Sequence, residues 1–240
     1  MRVEIQDDFN LRKIVESGQC FRASLIDDDI YRFVTGNNVV YMKETEKGIF
    51  SVSCGFNEWQ NTWVKYFDLN RNYRNIFEKE YGKHPFVDKA MNAGRGLRIL
   101  WQDPWEILVS TIISQRKSIP AIQKAVDLIA KKYGTVQKTE YEKLNLFPSA
   151  TDLINVSEDD MRSCGVGYRA AYILDAISKV SSGEVDLNMI SQLPDTELIQ
   201  YLKCIRGVGE KVANCVALFS YGRSACVPVD VWISRAINDD

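Results

Sequence analysis

The feature that most limits the fold is where the two hydrophobic periods fall along the chain. β-rich runs occupy the first 60 or so residues, and helical spacing takes over after them. Asp29–Met42 gives two β-rich runs around Gly36-Asn37-Asn38, a hairpin pattern, and Gly48–Cys54 gives another short strand. From Glu58 the pattern turns helical, with Trp59, Trp63, Tyr66 and Phe67 at helix spacing. Polar Asn70–Lys83 follows, with Ile76 and Phe77 as its apolar anchors, and from Pro85 strand signals nearly vanish. Pro104–Tyr133 is helical, interrupted around Ser114–Ser118 and by Pro120; both prolines suit first turns. Glu158–Ser163 and Tyr168–Ser181 flank Gly165-Val166-Gly167. Asp195–Cys204 and Glu210–Phe219 flank Gly207-Val208-Gly209, and Pro228-Val229-Asp230 opens a last helix. Strands first and helices after predict an α+β chain: an N-terminal antiparallel β domain over residues 1–100 and a mostly helical domain over 101–240.

Charge removes one class of partner binding. Lys plus Arg number 30 and Asp plus Glu 32, so a net charge of −2 gives no whole-molecule attraction to nucleic acid or membrane, and any DNA contact must be local. No apolar run approaches the ~20 residues of a membrane span. The start, MRVEIQDDFN, carries acids and no apolar core, unlike a secretion signal. The six cysteines form no CxxC, and the one histidine, His84, cannot anchor a histidine-based cluster; no metal site is expected. Free thiols in a reducing, intracellular compartment fit this usage.

Leu202–Cys215 (LKCIRGVGEKVANC) carries the chemistry. Two glycines let the backbone turn sharply and leave its N–H groups open, and the following helix presents its positive end at the same place. Gly207, Val208 and Gly209 therefore suit a phosphate without a lysine-rich surface. Lys211 falls in the first turn of that helix, where the dipole disfavours a cation and favours the neutral amine, a nucleophile. Cys215 is one turn on, on the same face, and Val212, Val216 and Phe219 form the core-facing stripe. Exposed lysine is the rule, so Lys211 alone reads first as a solvated surface residue and Cys215 as a buried small hydrophobe. Asp230, before an apolar helix, reads as an N-cap whose carboxylate could also steady a cationic transition state.

Leu202–Trp232 resembles the helix-hairpin-helix, Gly/Pro-rich loop and aspartate (HhH-GPD) of the DNA glycosylase superfamily, and the interval from Lys211 to Asp230 matches. Gly96–Ile122, Gly165–Ala170 and Ser17–Arg22 (SGQCFR) together resemble 8-oxoguanine DNA glycosylases, in order along nearly the whole chain. The resemblance implies a monomeric base-excision repair enzyme that binds duplex DNA containing 8-oxoguanine and flips the lesion out. Lys211 would attack C1′, release the base and leave a Schiff base, with β-elimination nicking the strand. Asp230 would stabilise charge at the sugar. It implies no cofactor and no membrane. Gly18 would accept from N7–H of the lesion through its carbonyl, Cys215 would stack on the flipped base, and Phe219 and Pro228 would line the pocket. Tyr168 and Arg169 would fill the gap and contact the orphaned base.

Departures from the pattern carry their own expectations. Ala121 stands where the family arginine reads the opposite cytosine, implying a relaxed opposite-base preference; Arg116 would touch the orphan base and Lys117 a phosphate. Trp232 replaces a phosphate-binding histidine, and Arg206 the proline before the hairpin. The family continues with a helix that stacks an aromatic and a glutamine on the base, so the resemblance implies a helical domain incomplete at its C-terminus. Two other readings stay open: a glycosylase for alkylated or mispaired purines, against which Lys211 argues, and a non-catalytic helix-hairpin-helix module, which needs neither Lys211 nor Asp230.

Overall fold

The computed structural model describes residues 1–230 and 233–235. The chain divides into two compact units, Met1–Trp101 in the first and Gln102–Asp230 in the second.

The first unit is built on an antiparallel sheet of β1 (Arg2–Glu4), β2 (Ser24–Asp27), β3 (Ile30–Thr35), β4 (Asn38–Glu46) and β5 (Ile49–Val52), in the order β1-β5-β4-β3-β2. Thr35 faces Asn38, so the β3–β4 turn is Gly36-Asn37 alone, and Gly36 supplies the positive φ (53°) that a tight hairpin needs. One sheet face buries Phe33, Val40, Met42, Phe50 and Val52. Against it pack Trp59, Trp63, Tyr66 and Phe67 from a helical stretch: α2 (Phe56–Glu58), a π-turn (Trp59–Trp63) and α3 (Val64–Tyr66). Phe67 is the hub; its ring lies edge-on, 4.9 Å from both Phe33 and Tyr66.

Two elements of this unit depart from the sequence expectation. Inside the region read as strands stands α1 (Leu11–Glu16), capped by Asn10, whose side chain accepts from the Lys13 N–H at 2.9 Å. Only Leu11 and Ile14 of this helix are buried, too few to show a period. In α4 (Tyr73–Glu80) and α5 (Pro85–Gly94) no residue is buried, and Ile76, expected as an anchor, is 45% exposed. The start of α4 is held by polar contacts instead. The Asp7 carboxylate accepts from the N–H groups of Tyr73 and Arg74 at 2.6 and 3.0 Å and pairs with Arg98 at 3.1 Å.

The second unit is organised around α6 (Pro104–Ser114), whose residues Trp105 and Ile107–Ile113 are all buried, so it is apolar on every side. Around it lie α7 (Ile119–Tyr133), α8 (Glu158–Met161), α9 (Ala170–Ser181), α10 (Asp195–Leu202) and α11 (Glu210–Tyr221). Pro104 and Pro120 both sit in first turns. A short hairpin, β6 (Val136–Lys138) and β7 (Lys143–Asn145), interrupts the region read as strand-free. Three-residue strands leave almost no alternation to detect. Gly134 makes it fit: a Cβ there would lie 1.8 Å from the Leu146 carbonyl oxygen and 2.6 Å from that of Ala130. The helix start expected at Asp230 involves Val231 and Trp232, which lie outside the described residues; residues 233–235 are helical.

Two stability predictions follow from these contacts. Gly134→Ala puts a methyl into closed backbone packing and is expected to cost about 3 kcal/mol in denaturant unfolding; an unchanged midpoint would show that the junction between α7 and β6 gives way freely. Asp103 caps α6, accepting from the Glu106 N–H at 2.8 Å, yet burial pushes its carboxyl above the usual carboxylate range despite the N–H groups of Glu106 and Trp105. A raised folded-state pKa means stability present at low pH and lost as pH rises through it. Asp103→Asn, which keeps a capping oxygen, should therefore gain on the wild type as pH is raised from 4 to 8. A difference that moves the other way with pH contradicts this.

Candidate active site

Helix α11 carries the central residues, and its two faces have separate tasks. Val212, Ala213, Val216, Ala217 and Ser220 are buried. Lys211, Cys215 and Phe219, spaced four apart, form the neighbouring ridge: Lys211 is exposed and the other two half-buried. Phe219 therefore leaves the core stripe to which its spacing had assigned it and stands in line with Lys211. Burial pushes the Cys215 thiol up to about 11, against the opposing effect of Lys211 and with that of Asp230, so it stays protonated at neutral pH.

Lys211 and Asp230, 19 residues apart in sequence, meet: Nζ lies 3.9 Å from Oδ2, with the side chains 55% and 34% exposed. The loop bringing Asp230 back is fixed from below. Gly222 ends α11 in the left-handed conformation, and the Arg223 N–H returns to the Ala217 carbonyl at 3.1 Å. The Arg223 guanidinium donates to the carbonyls of Ser191 (2.6 Å) and Leu193 (3.2 Å) and pairs with Asp195 at 3.3 Å, while Cys226 is buried. Past that anchor Val227 and Val229 are exposed and Pro228 half-buried between them.

The glycine hairpin before α11 differs in detail from its expected form. The Val208 N–H is not open: it donates to the Ile205 carbonyl at 3.0 Å, and the Val208 side chain is buried, so this residue plugs the core and offers no amide. The open end is one step further on. Gly209 is extended, no side chain caps α11, and Gly209, Glu210 and Lys211 are exposed. Gly207 has φ 81°, and a Cβ there would come within 2.3 Å of the Tyr172 ring. Arg206 lies over the same ring at 5.5 Å, and its N–H donates to Asp175 at 2.7 Å.

The first hairpin is tied down more tightly than expected. Tyr168 is 49% exposed, as a wedge must be, and meets Tyr172 edge-on at 5.9 Å. Arg169, read as reaching an orphaned base, is buried: Nη2 donates to the Gln115 carbonyl, Nη1 to that of Val166 at 3.2 Å, and the guanidinium lies 4.5 Å over the Tyr168 ring. In this conformation no base can meet it without those bonds opening. Lys117 donates to the Gly165 carbonyl, and burial, helped by Arg169, lowers its pKa. Arg116 is exposed with φ 52°, strained for a non-glycine residue. Trp232 lies outside the described residues. Gly18 belongs to the first unit; it follows the α1 C-cap Ser17 with φ 77°, and the next side chain, Gln19, donates to the Arg98 carbonyl and accepts from the Leu100 N–H.

The sequence reading missed three contributors. Gln115 lies in the break after α6, where only the interruption was visible. Tyr172 lies within a helical run and gives no signal of its own until Gly207 packs on it. Arg223 shows as one more surface charge until its three partners from the segment 191–195 are in place.

Comparison with known proteins finds relatives of both halves of the chain. Residues 2–108 match the family 8-oxoguanine DNA glycosylase, N-terminal domain, and residues 109–240 the HhH-GPD superfamily base excision DNA repair protein. A solved structure of MBOgg1 in complex with a low affinity DNA ligand is 38% identical, with TM-score 0.95, covering 99% of this chain and 82% of that one. The Clostridium acetobutylicum 8-oxoguanine glycosylase/lyase, solved with double-stranded DNA containing cytosine opposite 8-oxoG, is 33% identical, with TM-score 0.91, covering 100% and 85%. The Arabidopsis thaliana N-glycosylase/DNA lyase OGG1 is 36% identical over 62% of this chain. The chain spans 59%, 68% and 43% of the length of curated relatives from Methanothermobacter thermautotrophicus, Saccharomyces cerevisiae and A. thaliana. On the match of its helical half, its N-terminal half and these structures, the chain belongs to the HhH-GPD superfamily of base excision DNA repair proteins, with the N-terminal domain of an 8-oxoguanine DNA glycosylase.

Proposed function

We propose that this protein excises 8-oxoguanine from duplex DNA and then nicks the strand, with Lys211 as nucleophile and Asp230 as its electrostatic partner. The observation that carries the reading is the 3.9 Å approach of Lys211 Nζ to Asp230 Oδ2 beside an uncapped helix start. A non-catalytic phosphate clamp needs the helix start alone.

The steps run as follows. The Lys211 amine attacks C1′ as the N-glycosidic bond breaks, and the electron pair leaves with the base, which takes up a proton. The nitrogen, now bonded to C1′, passes one proton to O4′ as the C1′–O4′ bond breaks, and the sugar ring opens to a protonated Schiff base. Removal of a C2′ proton then expels the 3′ phosphate. The Asp230 carboxylate, next to the reacting nitrogen, offsets the positive charge that builds on the sugar as the bond lengthens. The exposed amides of Gly209 to Lys211 receive a strand phosphate, with Gly207 turning the chain sharply enough to present them. This local device suits a chain of net charge −2. Cys215 stacks on the extrahelical base, Phe219 and Pro228 border it, and the Gly18 carbonyl reads N7–H. Unmodified guanine has an acceptor at N7, and that mismatch is worth about 1–3 kcal/mol. Tyr168 wedges into the stack, and Arg116 and Lys117 lie on the orphan-base and phosphate side. In domain terms, residues 1–100 supply the lesion reader and 101–240 the chemistry. Genomic DNA as substrate places the enzyme inside the cell, acting as a monomer.

Incubation with a duplex carrying one 8-oxoguanine, followed by borohydride, is expected to trap a covalent adduct that Lys211→Gln abolishes. Tight lesion binding by the wild type without an adduct would remove the lyase from the reading. Asp230→Asn should slow base release at least about tenfold with lesion affinity retained; equal losses in rate and affinity would make Asp230 a structural cap. With Ala121 at the position of the cytosine reader, single-turnover rates opposite C, A, G and T should lie within about a hundredfold of one another, ~2.7 kcal/mol in barrier. A wider preference for C contradicts the relaxed reading.

A further inference from the structure

Gln115, the residue that ends α6, touches both glycine hairpins at once. Its Nε2 donates to the Gly207 carbonyl at 3.1 Å and to the Ile112 carbonyl at 3.2 Å. Its own main-chain carbonyl accepts from Arg169 Nη2. The contacts close into a ring. Arg169 covers the Tyr168 ring at 4.5 Å, Tyr168 meets Tyr172 at 5.9 Å, and Gly207 is pressed so closely on Tyr172 that even a methyl would not fit. Gly207 then leads within four residues to Lys211. One side of this ring carries the residues assigned to the orphaned base; the other carries the hairpin that positions the nucleophile.

We infer that Gln115 is a positioning residue that couples the Tyr168–Arg169 turn to the Lys211 hairpin, so that the base opposite the lesion governs how well the amine is placed. The inference rests on the function proposed above. Arg169 can meet a base only by releasing the Gln115 carbonyl, because its guanidinium is buried and bonded to backbone there. Release frees the main chain of Gln115, whose amide holds the Gly207 carbonyl. The second link, Tyr172 against Gly207, has no slack because the contact is already at van der Waals limits. A shift on the orphan-base side is therefore passed to the start of α11 through two short, stiff paths. Within this arrangement Gln115 needs no contact with the DNA.

The test uses Gln115→Met, which keeps the bulk and removes the donor, and Gln115→Glu, which keeps the shape and sets an oxygen against the Gly207 carbonyl. Single-turnover excision of 8-oxoguanine is measured opposite each of the four bases, with affinity for the same duplexes measured separately. The wild type is assayed first; failure of the wild type to excise strikes the functional reading itself. Given wild-type excision, both variants should lose about tenfold in rate, with affinity changed less than about threefold. The spread of rates among the four opposite bases should also shrink. Rates and spread within twofold of wild type, or a loss carried wholly by affinity, would overturn the coupling. A measurement on the unmodified protein guards against misfolded variants. Amide exchange over residues 207–211 should differ among complexes with a reduced abasic site facing each of the four bases, and identical protection in all four would overturn the proposal equally.

Discussion

The site depends on the clamping of α11 along α6. α6 is buried on all sides, so it is the rigid member of the pair. The clamp closes at both ends. The Gln102 N–H, just before α6, donates to the Phe219 carbonyl at 2.7 Å; Gln115, just after α6, donates to the Gly207 carbonyl, just before α11. Between these bonds Val212, Ala213, Val216 and Ala217 seal the contact. Lys211 thereby gains a fixed base on an exposed first turn. A long, flexible side chain is useful as a nucleophile only where its backbone cannot drift.

The charge balance of the chain makes sense in this frame. With acids slightly exceeding bases, the molecule has no net positive charge to spend on DNA, and several of its basic groups are engaged internally. Arg98 pairs with Asp7, Arg169 with two carbonyls, Arg223 with two carbonyls and Asp195, and Lys117 with Gly165. In the proposed function a phosphate is met mainly by backbone: the open turn at Gly209 to Lys211. Backbone amides carry no rotamer entropy to lose and stay where the fold sets them. Structural arginines inside and backbone donors outside would make the proposed DNA contact local, in keeping with the composition.

The parts of the fold legible in the sequence were those with long periods or unusual spacing. The α6–α7 pair showed through its prolines and apolar run, the β3–β4 hairpin through Gly36-Asn37, and the α10–α11 hairpin through its paired glycines. Short elements were not legible. α1 buries two residues and the β6–β7 hairpin has three-residue strands, so neither accumulates a pattern. Ile76 misled because apolar type was read as burial, whereas the helix start it belongs to is held by the Asp7 carboxylate. At the site, Lys211 and Asp230 were found by their interval; the burial of Arg169 and the closed Val208 amide were not. Arg169 is held by the Gln115 carbonyl, 54 residues away, and the Val208 amide turns back onto Ile205, a local bond that residue type does not announce.

The sequence by itself determined the chemistry available: an amine in a helix's first turn, a carboxylate 19 residues on, glycines where the backbone must turn, and too little positive charge for anything but local DNA contact. The tertiary structure alone decided which groups are free to act. It spent Arg169 and Val208 on internal hydrogen bonds, left Lys211 and Gly209 open, and brought Gln115 between two hairpins whose contacts with it lie 54 and 92 residues along the chain. The reason is physical. Residue type and local period act over a turn or two of chain, whereas hydrogen-bond partners are fixed by packing between segments remote in sequence.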